Sequence, residues 1–137
     1  MVFDHSIIKN NESKFELFVT AKSYTLNYLG ALGLIGGGSA GNRIYIGWEG
    51  NGQIMIGLGN ILIKTLNKYN DYINQEIRIR FIQYGNKTGR FVINDNQEDL
   101  IDIPDYSYTS TNTFYYNGHY DNHGSHYGTT YNYFLFG

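Results

Sequence analysis

The densest grouping of side chains able to do chemistry is Gly118-His119-Tyr120-Asp121-Asn122-His123-Gly124-Ser125-His126. Imidazole and carboxylate ligands suit zinc or another transition ion such as nickel. On an extended backbone His119, Asp121 and His123 share one side, with His126 close behind. The competing reading is a polar loop bracketed by Gly118 and Gly124, whose histidines bond to backbone or solvent. Gly36 to Gly41 invites comparison with a phosphate-cradling loop. Such a loop needs Lys-Ser/Thr and then a helix, whereas Asn42-Arg43 opens a strand. A hairpin turn with glycines at positive φ is the expectation there. Glycoside hydrolysis needs two carboxylates about 5–5.5 or 6.5–9.5 Å apart across a groove. Glu98 with Asp102 is the nearest pairing, and Glu76 stands alone on its strand, so no catalytic pair is assigned. There is no cysteine, which excludes thiolate metal sites, cysteine nucleophiles and disulfides.

A second kind of chemistry is available in the same third of the chain. From Tyr106 to Gly137 the only formally charged side chain is Asp121. Tyr106, Tyr108, Tyr115, Tyr116, Tyr120 and Tyr127 interleave there with Asn117 and Asn122. Tyrosine combines a flat apolar body with a hydroxyl at modest entropy cost, and asparagine adds amide hydrogen bonds. Such a surface suits neutral sugars, and it suits a subunit interface equally, where tyrosine is enriched and charge depleted. Polar-aromatic tracts without charge can also aggregate. The apolar Tyr131 to Phe136 run argues that the segment rejoins the fold.

The elements that must carry these residues are strands. The 137-residue chain is 42% hydrophobic and 17% aromatic with a single proline, a composition for one domain of strands and glycine or asparagine turns. Val2 to Lys9 reads as a first strand. Phe15, Leu17, Val19 and Ala21 alternate with Glu16, Phe18, Thr20 and Lys22. Gly-interrupted Tyr28 to Ile35 precedes Arg43 to Glu49, where Ile44, Ile46 and Trp48 share a side and Trp48 packs in the core. Asn51-Gly52 is the strongest hairpin signal. Gln53 to Gly57 and Asn60 to Asn67 follow, with a bulge expected at Gly57 to Gly59. In Glu76 to Tyr84, Ile77, Ile79 and Phe81 oppose Arg78, Arg80, Ile82 and Tyr84. Phe91 and Ile93 oppose Arg90 and Val92, Asn94-Asp95-Asn96 turns the chain, and Leu100 to Ile103 stops at Pro104. Short strands spaced by turns predict an all-β, antiparallel two-sheet sandwich rather than a βαβ fold.

Two stretches carry a more specific likeness. Asn74 to Phe81, followed by Tyr84-Gly85-Asn86-Lys87-Thr88-Gly89-Arg90-Phe91-Val92-Ile93-Asn94-Asp95, resembles the paired central strands of laminin-G-like domains, members of the concanavalin A-like lectin and glucanase superfamily. Lys14 to Lys22 resembles an early sheet strand of that family, Ile44 to Gly59 its next hairpin, and Tyr131 to Gly137 a late strand ending in glycine. The resemblance implies a jelly-roll sandwich spanning residues 1–137, with 106–130 as a Tyr/Asn/Gly-rich loop region, that binds glycans or protein partners. It also implies calcium as an alternative ligand, for which Asp95, Asn96 and Asp121 supply oxygens. Hydrolases of the superfamily place acids at alternate positions on one strand, a pattern that Glu98, Asp99 and Asp102 do not reproduce. The family continues past the late glycine, so either Val2 to Ile8 closes that sheet or an edge stays open for another chain.

These readings converge on a non-catalytic structural or assembly module of a multisubunit particle, viral or phage in context, joined through aromatic surfaces and open sheet edges. The alternative is a lectin-like module recognising neutral glycans. A homo-oligomer or a protein assembly partner is expected, and no cofactor. Ten Lys and Arg against twelve Asp and Glu, without a basic stripe, give no nucleic-acid footprint. Tyr28 to Ala40 is too short to span about 30 Å of hydrocarbon, so no membrane insertion is expected. The first residues, with Asp4 and His5, lack the pattern of a signal peptide.

Overall fold

The computed structural model describes residues 5–23, 30–36, 43–109, 114–116 and 128–137. Their strands are β1 (Lys14–Ser23), β2 (Gly30–Gly36), β3 (Arg43–Trp48), β4 (Ile54–Leu58), β5 (Ile61–Lys64), β6 (Glu76–Tyr84), β7 (Thr88–Ile93), β8 (Asn96–Gln97), β9 (Ile101–Asp102), β10 (Phe114–Tyr116) and β11 (Gly128–Phe136). One sheet runs β11-β1-β6-β7-β8, with β9 also on β7, and the other runs β10-β2-β3-β4-β5. Every pairing between these strands is antiparallel. The result is the two-sheet jelly-roll sandwich that the alternation implies.

Period-two patterning decides which face meets the other sheet. On β1, Phe15, Leu17, Val19 and Ala21 are buried, and β6 and β7 contribute Ile77, Ile79, Phe81, Phe91 and Ile93 to the same core. Ile44, Ile46, Trp48, Ile54, Ile56, Leu58 and Ile63 meet them from the second sheet. Phe81 lies at the centre, its ring 5.1 Å from that of Phe91 and 6.0 Å from that of Phe15. Trp48 is wholly buried, as its position beside Ile44 and Ile46 requires, and its Nε1 donates to the carbonyl of Gly52 at 3.1 Å.

The turns follow their chemistry. Glu49 and Gln53 flank a three-residue loop in which the Gly52 amide donates to Glu49 and Gly52 takes φ +97°. That is a type I turn closed by a left-handed residue, which glycine adopts without strain. Gly57 to Gly59 is not a bulge. Leu58 pairs with Ile61, and Gly59 at φ +60° occupies the first place of a two-residue hairpin loop. Asn94 and Asp95, at φ +48° and +69°, make the other two-residue hairpin between Ile93 and Asn96.

The expected strand from Val2 to Lys9 is corrected by the structure. His5–Ile7 is a 3-10 turn, and Asn10 makes only an isolated bridge with Ser107, while residues 2–4 lie outside the described part. Side chains capture the backbone before it can extend: the Ser13 hydroxyl accepts from the amides of Lys9 and Asn10, and the Asn10 side chain accepts from Glu12. Residues 5–8 therefore add no strand to the sheet. Strand β11 occupies the flank of β1 instead, from Glu16–Phe136 to Ser23–Gly128. It starts three residues before the expected Tyr131, and together with β10 it puts strands inside the 106–130 region expected to be loop.

Candidate functional site

Directly opposed residues of antiparallel strands point to the same face. The register therefore writes out the solvent side of the β11-β1-β6-β7 sheet in rows. One row is Phe134–Phe18–Arg80–Val92, and the next is Phe136–Glu16–Ile82–Arg90. A third begins with Asn132, Thr20 and Arg78, tied by a 2.8 Å hydrogen bond from the Asn132 amide to the Thr20 hydroxyl. Beyond Thr20 the β1–β11 register shifts by one, leaving Tyr131 as the unpaired residue of a bulge.

The aromatic residues of these rows sit together. The Phe134 ring lies 6.3 Å from Phe18 at an interplanar angle of 26°, and 6.2 Å from Phe136 at 19°. Phe134 is 38% exposed and Phe136 52%, so near-parallel rings face solvent on an edge strand. The Arg80 guanidinium lies 5.2 Å from the centroid of the Phe18 ring, and its Nε donates to Glu16 at 2.8 Å. Cation–π contact and ion pair together hold Phe18 in place, although each is worth only about 0.5–1 kcal/mol at an exposed site.

One depression opens beside Phe136, and a second meets it at Tyr84. One, of about 270 Å³, is lined by Lys14, Glu16, Ile82, Tyr84 and Phe136. The other, of about 390 Å³, is lined by Tyr84, Asn86, Thr88, Arg90 and Leu100. Leu100 is 54% exposed and Tyr84 37%, so apolar surface stands beside the polar groups of Asn86, Thr88 and Arg90. Exposed rings with polar groups at their margin can hold a ligand that has both an apolar face and hydrogen-bonding edges.

The residues expected to form the contact surface are distributed differently. Tyr106 and Tyr108 are only 6% and 5% exposed and belong to the hydrophobic core, which corrects their assignment to a contact surface. The Tyr106 hydroxyl donates to Gln83 at 2.8 Å, and the Gln83 amide donates to the carbonyls of Asn10 and Ser13. This bridge anchors the chain after Pro104 to β6 and to the N-terminal turn. Burial raises the Tyr106 pKa above the ordinary phenol range, against a smaller opposing effect of Gln83. Tyr115 and Tyr116 lie on β10, opposite Leu34 and Gly33. Asn117, Tyr120, Asn122 and Tyr127, and the metal-ligand candidates His119, Asp121, His123 and His126, fall outside the described residues. Of the calcium candidates, Asp95 accepts from Arg78 at 2.8 Å.

Glu98, weighed as an acid, is 5% exposed and serves as an anchor. It accepts from the amides of Leu66 and Asn67 at 2.7 and 3.0 Å and from the Tyr69 hydroxyl at 2.5 Å. Burial first, and then the Glu98 carboxylate, raise the Tyr69 pKa. Asp102 lies on β9 opposite Thr88, on a different element from this network. The sequence does contain the signal for the ring platform, because Phe18, Ile82 and Tyr84 stand at outward positions of alternating strands. The conspicuous tyrosine tract drew the expectation elsewhere.

The two sheets define a β-sandwich of the jelly-roll class. No family model matches the sequence, and no curated relative matches it. Solved structures similar in fold include the CBM40 domain of the Ruminococcus gnavus IT-sialidase, bound to α2,3-sialyllactose. It has a TM-score of 0.65 at 13% identity, over 90% of this chain and 74% of that one. The receptor-binding domain of botulinum neurotoxin type G superposes with a TM-score of 0.61 at 16% identity, over 90% of this chain and 34% of that one. This chain thus spans about a third of the neurotoxin domain. A heptameric pentraxin from Limulus polyphemus has a TM-score of 0.56 at 9% identity, over 93% of this chain and 65% of that one.

Proposed function

We propose that the protein is a non-catalytic, lectin-like recognition module that binds carbohydrate on the outer face of its β11-β1-β6-β7 sheet. The observation that carries this reading is the set of near-parallel rings, Phe18, Phe134 and Phe136, with one depression beside Phe136 and a second that meets it at Tyr84. A sugar stacks its apolar C–H face on such rings while its hydroxyls bond at the edges. Neighbours in fold add support: one is a sialidase CBM40 domain holding sialyllactose, another a neurotoxin receptor-binding domain. The laminin-G-like kinship suggested by the central strands is part of the same proposal. Catalysis has no place in it, because the nearest paired carboxylates are divided between a buried anchor and a separate strand.

A second reading is favoured by β11 itself. Among the described residues its nine-residue length pairs with β1 alone, and it carries exposed Phe134 and Phe136. An edge of that kind can join a second copy or a partner strand, as in a multisubunit particle. The two readings separate in one experiment, a glycan array read beside light scattering. Recognition predicts a monomer with glycan signal, lowered about tenfold or more by Phe134→Ala at unchanged melting temperature. A stable oligomer that Phe134→Ala dissociates, with no glycan signal, would establish assembly instead.

A further inference from the structure

Arg90 stands apart from the other described arginines of this face. Arg78 is paired with Asp95, Arg80 with Glu16 and Lys87 with Glu12, whereas Arg90, like Lys14 and Lys22 on β1, enters no ion pair among the described residues. Its Nε is shielded from solvent and has no hydrogen-bond partner. An orphaned guanidinium donor is a cost that a structure without a ligand carries. The side chain lines the depression that Tyr84 shares with the aromatic platform.

The neighbouring groups point the same way. Asn86 Oδ1 accepts from both the amide and the hydroxyl of Thr88, at 3.2 and 2.5 Å. Because those two partners are donors, the oxygen is fixed inward and the Asn86 amide offers only its Nδ2–H groups to a ligand. The wall is therefore rich in donors, with one uncompensated positive charge among them. Of the acidic groups on this side, Glu16 is paired with Arg80, and Asp102, exposed and across from Thr88, forms no ion pair with Arg90.

We propose that Arg90 and the Asn86 amide form a subsite for an oxyanion carried on a sugar, so that the ligand of this face is an acidic saccharide. The planar guanidinium fork matches a carboxylate or a sulfate ester, and the adjoining rings take the neighbouring sugar unit. This inference rests on the carbohydrate-binding reading and sharpens the ligand class from neutral to anionic.

The test uses the full chain with matched oligosaccharides in neutral, uronic- or sialic-acid-bearing and sulfated forms, on an array and then by calorimetry. Anionic forms should bind about tenfold or more tighter than the neutral form at low salt, and the preference should shrink as salt is raised. Whether the carboxylated or the sulfated arm leads identifies the oxyanion. Arg90→Gln should remove the preference, and Asp102→Asn should increase it. Equal binding of neutral and anionic forms, or a preference that survives Arg90→Gln, would overturn the subsite and leave the ring platform standing. Binding of polyglutamate but of no saccharide would overturn both and assign the face to an acidic protein partner.

Discussion

Glu98 offers the sharpest test of how this sandwich is held, because its carboxylate is a hub rather than a reagent. Replacement by alanine removes the acceptor for three donors, the Leu66 and Asn67 amides and the Tyr69 hydroxyl. Tyr69 is 6% exposed, so its hydroxyl loses the bond without water to replace it, at about 1–3 kcal/mol. Leu66 and Asn67 are exposed, so their amides recover much of the loss from solvent, leaving about 0.5–1 kcal/mol each. The sum is about 2–5 kcal/mol, which lowers the melting temperature by about 7–17 °C in a domain of this size. Glu98→Gln keeps one acceptor oxygen and sets an amide donor against a donor, for about 1–2 kcal/mol. Tyr69→Phe removes the buried hydroxyl and leaves Glu98 its two backbone partners, for a similar loss.

Urea unfolding of the three single variants and of the Glu98→Ala/Tyr69→Phe double variant reads these values directly. The double variant should be less destabilised than the sum of its singles by about 1 kcal/mol or more, because both singles break the same bond. Additivity would show that the 2.5 Å contact is not energetically real. A Glu98→Ala variant within about 0.5 kcal/mol of the parent would refute the anchoring role itself.

Two further perturbations follow from the same geometry. A Cβ at Gly89 would lie 2.8 Å from the Ile82 carbonyl and 3.1 Å from Ile103, so Gly89→Ala should cost about 1–3 kcal/mol by urea titration. Gly50→Ala, which meets nothing within 4 Å, is the control, and equal effects would defeat the argument. Tyr69 and Tyr106 have pKa values raised above the unfolded value of 10.0. Above that pH the unfolded chain releases protons that the folded chain retains, so stability is complete below pH 10.0 and falls as pH rises past it. The urea midpoint should therefore decline on the alkaline side, and less steeply in Tyr69→Phe/Tyr106→Phe; identical slopes would contradict the assignment.

The sheets were legible where alternation met a half-buried surface. Phe15 to Ala21, Ile77 to Phe81 and Phe91 with Ile93 declare their faces by type alone, and the structure buries each of them. Pairing was harder to read, since nothing local says that β11 flanks β1 or that residues 5–8 form no strand. That choice is made by side-chain capture at Ser13 and Asn10 and by apolar contact far along the chain. Tyr106 and Tyr108 misled for a related reason. Their neighbours are polar and lie outside any regular strand, so composition suggests a surface, but the Gln83 amide and carbonyl reach across from β6 and draw Tyr106 inward. The platform hid in the opposite way. Alternation already puts Phe18 and Ile82 at outward positions, but only the register shows that they share the solvent face with Phe136, Arg80 and Arg90. An apolar residue at an outward position of a well-alternating strand is the signal to weigh, because burial does not explain it and contact with a ligand or a partner does.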